Sequence, residues 1–363
     1  MRILVCPLDW GLGHATRCIP IIRYLIEKKV EVIIGASGVS MTLLKEQFPG
    51  LEFITLPGYN VRYSSVLPIG LKVLMQFPRL ISAVRKEHKI LEQVINDKKI
   101  DAVISDNRYG VWSDKIPSVI ITHQLNIMAP FGKNLLNNMA LEHIKKFNEC
   151  WIPDYEGEEN LSGNLSHPLP KEINAKYIGI LSRFEPIKNT IYKTEYQLLV
   201  ILSGPEPQRS KLEKIILQQL QDLPLVKTLI IEGLPGEDSK KSGLQNVEII
   251  PHLNDTEFCD KIYKSDIILS RSGYSTIMDL YALGWKKVIF IPTPGQTEQE
   301  YLGELFKKKK RAVVLLQKGF LLKDALKKTD NLAFTDDYNR KEEYKSLIDR
   351  WMTGIDNSLP IFH

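Results

Sequence analysis

The stretch SDIILSRSGYSTIMDLYALGWKKVIFIPTPGQTEQEYL, residues 265–302, carries the pattern that decides the fold. Its apolar run 267–269 has the length and composition of a buried strand. The turn Ser270-Arg271-Ser272-Gly273 follows, and then a helical pattern with Ile277, Leu280, Tyr281 and Leu283 on one side. Gly284 closes that helix where a C-terminal glycine is expected. A second apolar strand, 288–291, is ended by Pro292 and Pro294. Two parallel strands joined by one helix form the unit of a doubly wound sheet, which takes its ligands outside the carboxyl ends of its strands.

The residue types at that edge suit a phosphorylated ligand. Ser272, Gly273, Ser275 and Thr276 stand at a helix start, where unpaired backbone N–H groups and the helix dipole favour an anion. Asp279, in the first turns of the same helix, has the chemistry to accept from a ribose hydroxyl pair. Gln296, Glu298 and Gln299 carry amides and a carboxylate suited to sugar hydroxyls. Each piece alone is equally a helix cap or a polar loop; their concentration in one βαβ unit points to a site.

Working outward, the same alternation fills both flanks. On the C-terminal side it begins with a strand at 198–202, the turn Ser203-Gly204-Pro205 and a helix at 208–220; strands at 228–231 and 247–250 and the loop Pro251-His252-Leu253 follow. Ser203 and Gly204 form a second turn of the anion-binding kind. Past the central stretch, 311–316 reads as a last strand and 342–352 as a helix. On the N-terminal side, strands are expected at 2–6, 30–35, 51–56, 100–105, 119–122, around Trp151 and at 177–181. Helices are expected after the first, second, third and fifth of these. The loop 58–70, with Tyr59 and Tyr63, is long enough to suggest a role in sugar stacking.

The opening loop Pro7–His14 reads Gly11-Leu-Gly13-His14, with Thr16 where a dinucleotide fingerprint has a third small residue, and no Gly-x-x-x-x-Gly-Lys occurs. A nicotinamide cofactor is not expected. His14 falls at the end of the first strand, where its ordinary pKa suits a general base; a packing histidine is the alternative. Arg17 belongs either to the same opening or to a surface ion pair. Asp106, ending the strand 100–105, either orients His14 or caps a helix, and His123 stands at the end of the next strand.

The string SRSGYSTIMDLYALG…KVIFIPTPGQTEQEYL resembles the donor-site signature of glycosyltransferase family 28, a group with the GT-B fold that includes the N-acetylglucosaminyltransferase of peptidoglycan lipid synthesis. GLGHATRCIPIIRYL resembles the N-terminal Gly-x-Gly-His loop of GT-B transferases. The resemblance implies an α/β protein of two Rossmann-like domains facing across a cleft. Domain one would span 1–183, bind the acceptor and be rejoined by a helix in 342–363; domain two, 184–341, would bind the donor. By position, His14 and Asp106 become the catalytic pair and Gly13 part of its loop. Arg271, Ser272, Gly273, Tyr274, Ser275 and Thr276 become the diphosphate cradle, with Ser203 and Gly204 beside it. Asp279 becomes the ribose ligand, Leu253 a backbone contact to the base, and Gln296, Glu298 and Gln299 ligands of the sugar. Glu300 stands where relatives have a second Gln, which leaves the sugar open between an N-acetylhexosamine and a hexose.

The resemblance thus implies transfer from a UDP-sugar to a hydroxyl acceptor, lipid-linked or glycan, with inversion. A nucleotide-sugar hydrolase, a UDP-sugar epimerase and a non-catalytic sugar-nucleotide sensor stay open as alternatives. No cofactor beyond the donor substrate is expected, and no metal, because the chain has no Asp-x-Asp pair. A formal charge of +5 in 363 residues permits an anionic ligand or membrane surface without demanding nucleic acid. Four scattered cysteines without a Cys-x-x-Cys pair fit reduced thiols. The first residues lack an apolar signal core, so a cytoplasmic location, with contact at the inner membrane face, is the expectation.

Overall fold

The computed structural model describes residues 1–58, 69–129, 132–184, 192–204, 206–234, 236–284, 286–332 and 343–356, with backbone alone for 69–80. The chain divides into two units, Met1–Arg183 with Arg340–His363, and Phe184–Asn339.

The first unit alternates strand and helix: β1 (Arg2–Pro7), α1 (Leu12–Glu27), β2 (Glu31–Ala36), α2 (Gly38–Gln47), β3 (Glu52–Thr55), α3 (Ile69–Lys98), β4 (Ala102–Asp106), β5 (Ser118–Ile121), α4 (Lys133–Ile144), β6 (Glu149–Ile152) and β7 (Ala175–Tyr177). The strands form one parallel sheet in the order β3-β2-β1-β4-β5-β6-β7. Ile3, Leu4 and Val5 are all fully buried, as a central strand covered on both faces requires. Ile3 and Val5 pack with α1; Leu4 faces the opposite core layer with Leu91 and Ile95 of α3.

The second unit repeats the scheme: β8 (Tyr196–Ile201), α5 (Gln208–Leu220), β9 (Thr228–Ile231), β10 (Val247–Ile250), α6 (Asp255–Tyr263), β11 (Ser265–Ser270), α7 (Tyr274–Ala282), β12 (Lys287–Phe290), α8 (Thr297–Lys308), β13 (Val313–Val314) and α9 (Leu322–Lys328). Its parallel sheet runs β10-β9-β8-β11-β12-β13. In each sheet the order reverses beside the first strand, between β1 and β4 and between β8 and β11. Those are the positions where the loops leaving adjacent strands diverge and open a crevice.

The last helix, α10 (Glu343–Asp356), belongs to the first unit. Tyr344, Leu347, Ile348, Trp351 and Ile355 recur at helical spacing and enter the core beside α1. Trp351 meets Trp151 edge-on, with ring centroids 5.4 Å apart. Tyr24 donates to Asp349 at 2.8 Å.

Several elements differ from the sequence expectation. The strand expected at 177–181 lies at Ala175–Tyr177. Gly179, at φ 73°, turns the chain away while its N–H reaches Asp154 O. The last strand shrinks to Val313–Val314 because the chain then turns Gln317 inward. Helix α6 carries a reciprocal Asn254–Glu257 capping box, a pattern visible in the sequence. The loop 59–68 and residues 185–186 lie outside the described residues. Among the described residues no helix is long and apolar enough to cross a membrane.

Candidate active site

At the reversal point of the first sheet the structure builds a charged cluster. Asp106 is the last residue of β4 and His14 the third of α1. Gly11, at φ 97°, makes the turn into that helix, and Gly13 O accepts from Thr16 at 3.0 Å. His14 Nδ1 lies 2.7 Å from Asp106 Oδ1. Arg17, one helical turn further, donates to both carboxylate oxygens of Asp106 and lies 3.0 Å from His123 Nδ1 through its own Nη1. Arg17 is therefore a buried partner of Asp106 beside His14, in place of a surface ion pair, and among the described residues the Asp106 carboxylate bonds side chains of α1.

The electrostatics follow from that packing. Burial would raise the pKa of Asp106, but the Arg17 guanidinium and His14 outweigh it and hold the carboxyl at about 2. His14 Nδ1 thus faces a carboxylate oxygen at 2.7 Å and the Arg17 Nη2 donor at 2.9 Å. Burial, followed by the charge of Arg17, lowers the His14 pKa from its ordinary 6.5, against the pull of Asp106. At neutral pH the imidazole is therefore uncharged. That is the protonation state of a general base.

Arg108, directly after this strand end, braces the surrounding loops. It is fully buried and donates to Pro7 O at 2.8 Å, Pro57 O at 3.1 Å, Ser37 Oγ at 3.1 Å and the Glu87 carboxylate. It thereby ties the carboxyl ends of β1, β2 and β3 to α3. Beside them lies a cavity of about 400 Å³ lined by Ser37, Gly38, Met41, Thr42, Lys45 and Thr55.

The corresponding edge of the second unit is built from helix starts. Gly273 is the N-cap of α7, so the first N–H groups of that helix lack intrahelical acceptors. Gly273, Ser275, Thr276 and Asp279 are half-buried, along one side of the helix start, whereas Ser272 and Tyr274 are buried. Ser203 is half-buried and Gly204 exposed in the turn leaving β8. Gln296 caps α8, and Glu298 and Gln299 in its first turn are half-buried.

Several of the expected side chains are engaged within the unit. Arg271 is buried and its guanidinium is spent on Ile291 O, Pro292 O, Gln208 O and Gln317 Oε1. Through Nη1 and Nη2 it bolts the ends of β11 and β12 to the start of α5. Ser272 Oγ donates to Gln299 O at 2.7 Å, and the Tyr274 ring lies in the interior, so both offer a ligand only backbone. The Leu253 side chain is buried, which leaves its expected backbone contact as it was. The Gln299 carbonyl accepts from Thr293 N–H at 2.8 Å, which commits that half of the amide to the loop.

Three contributors were not legible as site residues: Arg108 with Glu87, the Gln208–Gln317 pair that receives Arg271, and Thr293. Arg108 and Glu87 lie 21 positions apart and Gln208 and Gln317 lie 109 apart, and nothing local marks any of the three.

Comparison with known proteins bears on the fold and the kind of enzyme. Residues 200–350 match the glycosyltransferase family 28 C-terminal domain. The chain is a GT-B glycosyltransferase resembling family 28. It is 26% identical over 326 residues to an uncharacterised glycosyltransferase of Methanosarcina acetivorans, covering 83% of this chain and 82% of that protein. It is 23% identical over 299 residues to the UDP-N-acetylglucosamine–N-acetylmuramyl-(pentapeptide) pyrophosphoryl-undecaprenol N-acetylglucosamine transferase of Sulfurihydrogenibium sp., covering 81% and 79%. Among solved structures, the calicheamicin glycosyltransferase CalG4 superposes with a TM-score of 0.66 at 12% identity over 99% of both chains. Acinetobacter baumannii MurG does so at 0.53 and 14% over 98% of both. At such identities the transferase shares their fold, and its chemistry has to be argued from its own residues.

Proposed function

We propose that this glycosyltransferase moves a hexose or N-acetylhexosamine from a UDP-sugar to a hydroxyl on a lipid-linked or glycan acceptor, without a metal ion and with inversion. The observation that carries the reading is the His14–Asp106 contact of 2.7 Å with Arg17 locked beneath it. Asp106, itself fixed by Arg17, accepts from Nδ1 in this reading and leaves Nε2 to take a proton.

In the step proposed, His14 Nε2 removes the acceptor hydroxyl proton as the oxygen attacks the anomeric carbon. The new C–O bond forms as the bond to the diphosphate oxygen breaks, and its electron pair leaves with the nucleotide. The departing charge is taken up by the helix starts at Ser203–Gly204 and Gly273–Thr276, which are oriented before the reaction begins. Asp279 holds the ribose. The acceptor belongs to the first unit, whose β2–β3 cavity supports a subsite for it, and the enzyme works at the cytoplasmic face of a membrane. The lipid-linked acceptor is supported by the printed activity of the Sulfurihydrogenibium relative.

The test is a donor-consumption assay with UDP-, GDP- and dTDP-sugars, run with and without acceptor lipids and with EDTA. His14→Ala is expected to lose about 10²- to 10⁴-fold in rate while UDP affinity is kept. Asp279→Ala is expected to lose nucleotide binding. Full turnover by the His14 variant, or an obligatory divalent ion, would overturn the reading. Undiminished release of sugar without acceptor would make the protein a hydrolase.

A further inference from the structure

Gly204 and Thr293 come together although they belong to different strand ends. Gly204, at φ 95°, follows β8, and Thr293 follows β12. Among the described residues, its chain neighbours aside, the atom that a Cβ placed on Gly204 would meet within 4 Å is Thr293 Oγ1, at 3.8 Å. The glycine thus leaves a niche beside that hydroxyl which no side chain of its own fills. Thr293 is 2% exposed, and its Oγ1 is buried with no hydrogen-bond partner among the described residues. A buried hydroxyl without a partner is costly to a fold. Its backbone is nevertheless held firmly, by Gln299 Oε1 on its N–H at 2.8 Å and by the Gln296 N–H on its carbonyl at 3.0 Å.

We propose that Thr293 Oγ1 binds the donor, donating its hydrogen bond to a non-bridging diphosphate oxygen lodged in the niche that Gly204 leaves open. This rests on the donor site proposed above and adds to it a residue from the β12 end, so that the phosphates are met from two strand ends besides the start of α7. A phosphate oxygen suits the niche because it is a small acceptor and the hydroxyl has a hydrogen to give. Arg271 fixes the spacing, since its guanidinium joins Pro292 O, one residue before Thr293, to Gln208 O at the start of α5.

The inference separates stability from affinity. Thr293→Val keeps the shape and removes the hydroxyl, so the unliganded protein is expected to melt at the same or a higher temperature. The UDP dissociation constant, by calorimetry on the full chain, is expected to rise about ten- to hundredfold, the loss of one hydrogen bond to a charged group. Thr293→Ser keeps the hydroxyl and is expected to bind within about threefold of the parent. A valine variant that melts lower and binds UDP as tightly as the parent would overturn the proposal, leaving Thr293 a packing residue while the donor site stands. Should the valine variant not fold, a serine variant that binds UDP tenfold more weakly would overturn it equally. A parent protein that binds neither UDP nor inorganic pyrophosphate would remove both this proposal and the donor site beneath it.

Discussion

The two reversal points of this chain occupy the same place in two sheets of like topology, yet they are built from opposite materials. The one between β1 and β4 is made of side-chain charge: a carboxylate, a guanidinium and two imidazoles, most of them buried. The one between β8 and β11 has backbone N–H groups and small hydroxyls at its helix starts, and the arginine at its strand end, Arg271, faces inward as a brace. A side-chain cluster can gain or lose a proton, and so suits acid–base work. An array of backbone donors has a fixed polarity and suits the holding of an anion. The shared topology supplies an address, and the residues placed there choose the chemistry.

That contrast can be broken at its charged end first. Asp106→Asn is expected to strand Arg17 in the interior, at a cost of about 3–5 kcal/mol, and to misorient His14, giving about a thousandfold loss in rate. Denaturant melting and turnover measure the two effects separately. Adding Arg17→Met should recover stability and leave the rate low; recovery of both would show that the cluster is only structural.

The backbone-built end is expected to respond more mildly and in a different parameter. Arg271→Gln frees carbonyls that the guanidinium holds, costing about 1–3 kcal/mol, and should raise the donor KM several-fold with kcat little changed. A variant with unchanged KM would deny that the brace sets the spacing of the helix starts.

The smallest effect is the pH profile. Because the His14 pKa is lowered by burial and by Arg17, the imidazole stays unprotonated further into acid than an ordinary histidine. The acid limb of kcat/KM should therefore fall below 6.5. In Asp106→Asn, which loses the group that raises that pKa, the limb should move further toward acid. A limb above 6.5 would contradict the assigned environment.

The strand and helix alternation could be read directly, because both sheets are parallel and their strands are continuous runs of Ile, Leu and Val. The same holds for His14 and Asp106, since residues at strand carboxyl ends fall at the ligand edge of such a fold. What escaped was the direction in which side chains point there. Arg271 sits between two serines beside a glycine, a pattern that suggests a phosphate ligand, yet unsatisfied carbonyls at the ends of β12 and at Gln208 claim it first. Arg17 escaped similarly, because burial of Asp106 depends on the register Pro7↔Asp106 between β1 and β4. Helix α6 is a different miss: its Asn254–Glu257 box was in plain sight.

The last helix has a consequence for how the molecule is made. The core of the first unit contains Tyr344, Leu347, Ile348, Trp351 and Ile355, so a ribosome that has delivered residues 1–183 has not yet delivered the whole of that core. Trp151 and Tyr24 must wait, partly uncovered, until 343–356 emerges, by which time the whole second unit has been synthesised. The half that comes first off the ribosome is therefore finished last, and a chain broken anywhere after its middle inherits an unsealed flank.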